Sequence, residues 1–283
     1  MRTRVDVDVR PIGEAERSAV ADFARAATYH YEHYDFSPGE TYISPGYLAR
    51  DAEGRLVGAM GCLLDRPPVA SIVYAALDRT AAPAIAVPAL ADANAGDMAA
   101  AGAEELVFIG MAPWLAGGLR RAGFVDRTTV ISYQRWGFKV ATQGNPEVTL
   151  RRAEPADAAV LAGLDALAFE PMWRYPVALH RRLIERLPHV QVAEWDGEPV
   201  GYETCDVSGG RGQIIRIVVH PDRQRSGVGS RLVADAIAFF RRAGAPLIML
   251  NTQKENTPAR RLYAGFGFER MAEEVPVLVR RLA

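Results

Sequence analysis

Segments of this 283-residue chain repeat one another at a spacing of about 143 residues, and no other feature constrains the fold as tightly. Gly54-Arg55-Leu56-Val57-Gly58 is followed by Cys62, and Gly197-Glu198-Pro199-Val200-Gly201 is followed by Cys205. Both anchors are 143 residues apart (54 to 197, 62 to 205). Each is preceded by a strand pattern, Tyr47-Leu48-Ala49-Arg50-Asp51 in one case and Val192-Ala193-Glu194-Trp195-Asp196 in the other. Val7-Asp8-Val9-Arg10 matches Val148-Thr149-Leu150-Arg151 at an offset of 141, and Arg121-Ala122-Gly123-Phe124 matches Gly265-Phe266-Gly267-Phe268 at 144. One Gly-x-x-Val-Gly is an ordinary hairpin signal; four anchors in one register indicate a duplicated domain rather than a solenoid of short repeats.

The length suits two modest domains. We expect copies at 1–140 and 147–283, parted in Gly137 to Pro146, where Gln143-Gly144-Asn145-Pro146 is turn chemistry. With 49% hydrophobic residues, packed cores are affordable. A formal charge of −1 argues against general affinity for nucleic acid or an anionic membrane. Met1 to Asp6 run into a strand pattern with no apolar h-region, so no signal peptide is expected. Ala81 to Ala103 is alanine-rich but broken by Pro83, Pro88, Asp92, Asn94 and Asp97, which is no membrane span. Cys62 and Cys205 form no CxxC pattern and read as small buried residues on equivalent strands. His30, His33, His180, His189 and His220 show no metal spacing. The expectation is a soluble cytoplasmic protein, monomer or homodimer, with no metal, nucleic acid or membrane partner.

The second copy carries a strand, a glycine loop and a helix start. Ile214-Ile215-Arg216-Ile217-Val218-Val219 is an apolar β-branched run, and His220-Pro221-Asp222-Arg223 turns the chain. Gln224-Arg225-Ser226-Gly227-Val228-Gly229 follows, and then a helix pattern with Leu232, Val233, Ala236, Ile237 and Phe240 on one face. Glycines let the backbone approach a ligand, and the N–H groups of a helix start favour an anion, so a diphosphate is the natural guest. There is no Gly-Lys-Ser/Thr for a nucleotide triphosphate, and Leu232 stands where a dinucleotide loop has its third glycine.

The loop instead has the form Q/R-x-x-G-x-G/A, which resembles the pyrophosphate loop of the GNAT superfamily of acyl-CoA-dependent N-acyltransferases. Leu247 to Asn251 reads as the next strand. Asn256, Ala259, Leu262-Tyr263 and Gly265-Phe266 after it resemble the family's second signature. The resemblance spans residues 148 to 283. It implies an α+β fold: two tandem GNAT-like units, each a mixed, mostly antiparallel twisted sheet flanked by helices. It also implies acetyl transfer from acetyl-CoA to a primary amine of a small molecule or peptide. The alternative is a non-catalytic CoA-binding or regulatory protein.

By the same resemblance, the backbone of Gln224, Arg225, Ser226, Gly227, Val228, Gly229 and Ser230 binds the CoA diphosphate. The edge of Ile217, Val218 and Val219 pairs with pantetheine, and Asn256 contacts CoA. Tyr263 matches the general acid; a phenol with a pKa near 10 suits a thiolate leaving group. The family's central-strand glutamate falls at Gln213, which is no base. Glu203 on the preceding strand is the first substitute, with Asp206 and Glu170 behind it. Glu203 also fits an outward strand charge. Arg216, a cation in an apolar run, requires a carboxylate or phosphate partner: an acidic group of the substrate, or Glu203 or Asp206 across the sheet. Glu170, Trp173, Arg174 and Tyr175 lie in the segment that lines the acceptor site in the family; ordinary loop packing is the other reading. In the first copy, Thr80 to Val87 has prolines and no glycine loop, and Trp114 to Leu119 has no phenol, so no CoA site is expected in residues 1 to about 140. Tyr29-His30-Tyr31-Glu32-His33-Tyr34 suits a ligand cleft or the end of an amphipathic helix.

Overall fold

In the computed structural model, which describes residues 7–33 and 46–282, the β-branched runs become strands of two α+β units. Met1 to Asp6 and Tyr34 lie outside the described residues. The compact units are 1–128 with 275–283, and 129–274. The compact units are therefore not delimited as the sequence copies are. The end of the first copy, from residue 129, belongs to the second unit, and the last residues of the second copy belong to the first.

The first unit holds β1 (Asp8–Pro11), β2 (Tyr29–Glu32), β3 (Gly46–Arg50), β4 (Leu56–Arg66), β5 (Val69–Leu77) and β6 (Glu105–Ile109). Its helices are α1 (Arg17–Ala26), α2 (Pro83–Ala100) and α3 (Pro113–Arg121). β1, β3, β4 and β5 pair antiparallel in that order. β5 is buried along its whole length, which explains why it reads as a continuous apolar run rather than an alternating one. The broken alanine stretch forms α2, with Pro83 in the first turn, where a missing N–H costs nothing, and Pro88 inside. No described helix is long and apolar enough to cross a membrane.

β5 and β6 pair in parallel only over Val69–Ser71 and Glu105–Val107. Beyond that point the edge of β5 is taken by β2, antiparallel, with Tyr29 opposite Leu77 and Glu32 opposite Tyr74. The His33 N–H continues the ladder to Val73 O at 2.9 Å. Tyr31 locks the insertion: its hydroxyl donates to Ile109 O at 2.9 Å, and its ring packs on Phe108. The Tyr-His-Tyr segment is therefore a strand, not the end of a helix.

The second unit begins inside β7 (Val125–Trp136) and continues with β8 (Thr149–Arg152), β9 (His189–Trp195), β10 (Glu198–Ser208), β11 (Arg211–Val219) and β12 (Leu247–Gln253). Its helices are α4 (Ala158–Ala168), α5 (Val177–Arg186), α6 (Val228–Arg242) and α7 (Thr257–Gly265). β8, β9, β10 and β11 pair antiparallel, β11 pairs with β12 in parallel, and β12 pairs with β7 antiparallel. The helix face expected over Leu232, Val233, Ala236, Ile237 and Phe240 is buried on the sheet. The final strand β13 (Glu269–Arg281) pairs with β6 of the first unit through Val277–Arg281.

Candidate active site

The parallel pairing of β11 and β12 stops early. It covers Arg211–Ile214 against Leu247–Leu250 and no more, while β12 stays paired to β7 as far as Gln253. A register break between Thr204 and Cys205 lets β11 diverge: Cys205 opposes Ile214, and Thr204 opposes Arg216, leaving Ile215 as the extra residue. A bulge of this kind bends a strand and ends pairing beside functional sites. Ile215 to Val219 therefore hold β10 on one side and offer a backbone edge on the other. In the first unit, β2 fills the corresponding edge of β5.

The loop after β11 is bent at two left-handed residues. Arg225 and Gly227 have φ of 63° and 88°. Left-handed residues at alternate positions turn neighbouring N–H groups to one side, and a non-glycine residue there stores strain of the sort found at ligand sites. Gly227 is the N-cap of α6, and the first helical bond runs from Arg231 N–H to Gly227 O at 3.0 Å. The N–H groups of Val228, Gly229 and Ser230 precede it, so they project from the positive end of the helix dipole. The Ser226 hydroxyl donates to Arg223 O, which closes the loop on itself. Arg223 lies over the Trp195 ring at 4.7 Å.

α7 carries the candidate acid. Asn256 caps it, its Oδ1 accepting from Ala259 N–H at 3.2 Å. Its side-chain oxygen is thereby committed to the helix. Tyr263 is buried in one cluster with Ile214, Leu250 and Tyr133, against which Ile217 and Leu262 pack. A Cβ on Gly229 would lie 3.1 Å from Leu262 Cδ2, so α7 runs beside the start of α6. Burial pushes the Tyr263 phenol up to about 12. It keeps its proton at neutral pH and can donate it.

Glu203, the first candidate base, lies in a buried cluster of its own. It is fully buried, and its Oε1 lies 3.1 Å from His189 Nε2, which also lies 2.9 Å from Asp235 Oδ2 on α6. The Phe239 ring stacks on the imidazole at 4.3 Å. Burial raises Glu203 to about 8, partly offset by His189. Burial opposes a proton on His189, but Asp235 and Glu203 together outweigh it and bring the imidazole to about 9. Glu203 and His189 are buried in this cluster, and Asp235 on α6 is half-buried. The histidine spacing gave no hint that His189, Glu203 and Asp235 bring ligand atoms within 4.8 Å of one another. Both raised pKa values mean that stability present at low pH is lost as pH rises through about 8 and 9. The thermal midpoint should therefore fall as pH rises from 6.5 to 9. His189→Gln should flatten that fall when unfolding is followed across the range.

Arg216 finds a third carboxylate, neither Glu203 nor Asp206. Its Nε and Nη2 donate to the two oxygens of fully buried Asp165 on α4, at 3.0 and 2.7 Å. The guanidinium is sandwiched between Phe169 and Tyr175, 4.2 and 4.0 Å from their centroids, and also donates to Trp173 O. Asp165 further accepts from the Tyr202 hydroxyl and, at 2.8 Å, from Tyr175 N–H. Burial works against the Asp165 carboxylate; His180, Arg216 and Tyr202 nevertheless hold it below its ordinary range. Such a pair is expensive to break, about 3–5 kcal/mol when one partner is removed. Arg216 thus fixes the segment between α4 and α5. That segment holds Trp173, Arg174 and Tyr175 half-buried and Glu170 exposed, and Arg174 Nε donates to Phe169 O at 2.8 Å. Asp165 was legible in principle: it sits four residues after Leu161 on the buried face of α4, where an acid needs a partner.

Residues 161–268 match the model of the Acetyltransferase (GNAT) family. They form a GNAT-family domain. The GNAT domain includes the bulged β11, the loop, α6 and Tyr263. A mycothiol acetyltransferase of Thermobifida fusca is 35% identical over 80 residues, 28% of this chain and 21% of that protein. One from Acidothermus cellulolyticus is 28% identical over 183 residues, 55% of this chain and 56% of that protein. The chain thus spans between about a fifth and about half of the length of these relatives. The fold likeness extends further. A tandem GNAT protein from the clavulanic acid biosynthesis pathway superposes with a TM-score of 0.61 at 15% identity, covering 98% of this chain and 99% of that one. The first unit is accordingly GNAT-like in fold as well.

Proposed function

We propose that the chain is an acetyl-CoA-dependent N-acetyltransferase with one cofactor site, in the second unit, acting on a primary amine of a small molecule or peptide. The observation that carries this reading is the conjunction of a divergent β11 edge, a left-handed loop at the start of α6, and a protonated Tyr263 packed with the same strand. Gln224 to Ser230 bind the diphosphate. Pantetheine adds to the Ile217–Val219 edge as a strand would, and an N–H of that edge polarises the thioester carbonyl. Acetyl-CoA supplies the acetyl group as a thioester. The amine nitrogen attacks that carbonyl, a C–N bond forms, and the C–S bond breaks. Tyr263 gives its proton to the departing sulfur and recovers one from the nitrogen through water.

Gln213 cannot take the amine proton, and Glu203 and Asp165 are buried in other bonds. The amine reaches the thioester neutral, or loses its proton to water, directly or on the way to Glu170, which is exposed, or Asp206, which is half-buried. Glutamine in place of a glutamate at position 213 is also the one observation that favours the second reading, a CoA-binding protein without turnover. The first unit lacks the open edge: β2 pairs where pantetheine would lie, and α2 begins with Pro83. On this reading it binds no CoA.

The test is an acetyl-transfer assay with a panel of small amines and peptide N-termini, following thiol release and acetylated product together. Equal amounts of both support the reading. Cofactor binding without either product, across the panel, supports the second one.

A further inference from the structure

The segment joining the two sequence copies lies against the cofactor loop. Gly144 has a φ of 76°, and a Cβ there would sit 2.3 Å from the backbone nitrogen of Arg231 in the first turn of α6. The linker therefore rides on the helix start, and only glycine permits that approach. Asn145 follows with two bonds to the loop. Its backbone N–H donates to Gly227 O at 3.3 Å, and its Nδ2 donates to Ser226 O at 3.1 Å. Its Oδ1 accepts from Glu147 N–H at 2.9 Å, which sets which end of the amide faces Ser226. Val148, buried with Val228 and Leu232, anchors the strap.

A peptide group is planar and trans, so its C=O and N–H point in opposite directions. Asn145 holds the carbonyls of Ser226 and Gly227. The N–H groups in those same two planes belong to Gly227 and Val228, and they are turned away from the linker. We infer that Asn145 is a positioning residue, which aims the Gly227 and Val228 N–H groups at the CoA diphosphate. The inference rests on the cofactor reading above and extends the site to a residue outside both sequence signatures. The segment between the copies is on this account a wall of the cofactor site.

Two variants of the full chain test it. Asn145→Asp keeps the shape and the Glu147 contact but sets a carboxylate against Ser226 O; Asn145→Ala removes the side chain. Each is titrated by calorimetry with acetyl-CoA and with 3′-phospho-ADP, which carries the diphosphate without pantetheine. Both ligands should weaken together, about 10-fold for Ala and roughly 30-fold or more for Asp, with the thermal midpoint unchanged. Parent-like affinity in both variants overturns the inference, provided the parent binds. Weakening of acetyl-CoA alone overturns it too, because the effect then lies along pantetheine. Loss of binding accompanied by a lower thermal midpoint assigns Asn145 a structural role instead. A parent that binds neither ligand overturns the cofactor reading itself.

Discussion

Tyr263→Phe should lower the acetyl-transfer rate by about two to three orders of magnitude and leave acetyl-CoA affinity within twofold of the parent. The change removes one oxygen from a side chain already buried among Ile214, Leu250 and Phe268, so packing is conserved and stability should hold. What is lost is the proton for the departing thiolate. Because burial raises the phenol to about 12, its ionisation cannot limit the rate at pH 6 to 9. The parent should therefore show no descending acid limb from Tyr263 in that range. Steady-state rates with a competent amine, set beside calorimetric affinities, separate the two effects. Unchanged turnover in the variant would remove Tyr263 as the acid and return attention to water.

Gly227→Glu should abolish acetyl-CoA binding, a loss of at least ~100-fold in affinity. Two effects add. At a φ of 88° any side chain is strained, and a Cβ would lie 3.1 Å from both Asn145 N and Cβ. The new carboxylate would then stand where the diphosphate belongs, among N–H groups it would claim for itself. Gly229→Ala is the matched control. Its Cβ would meet the flexible end of Leu262 at 3.1 Å and touch Val219 Cγ2 at an ordinary 3.6 Å, so binding should weaken severalfold at most. Calorimetry on both variants, with circular dichroism to check folding, decides the matter. Parent-like binding by Gly227→Glu would mean that the diphosphate lies elsewhere.

What was legible in the sequence is what is contiguous. Strand, loop and helix start follow one another in Ile214 to Phe240, and their chemistry is set by local geometry: β-branching, glycine at positive φ, apolar residues at helical spacing. The repeat was legible for the same reason, since turn glycines recur where hairpins recur. The partners that decide individual roles were not. Asp165 and Arg216 are 51 residues apart, and His189 and Asp235 are 46 apart. Only the folded sheet chooses among carboxylates for a buried cation, and it chose one on α4 over the two on β10. Glu203 illustrates the converse. Its placement on a strand made it a candidate base, but which face of β10 it occupied depended on register, and there it is buried. β2 was misread because a four-residue strand leaves almost no periodic signal, and an edge to pair with is a tertiary fact. Asn145 was legible as turn chemistry alone; its hold on Ser226 crosses 81 residues.

The measurement that bears most directly on the whole account is the stoichiometry of acetyl-CoA binding to the parent chain by calorimetry. One molecule per chain is predicted, because the β11 edge is open and the β5 edge is occupied by β2. Two molecules per chain would contradict the filled slot in the first unit, and none would contradict the cofactor site itself.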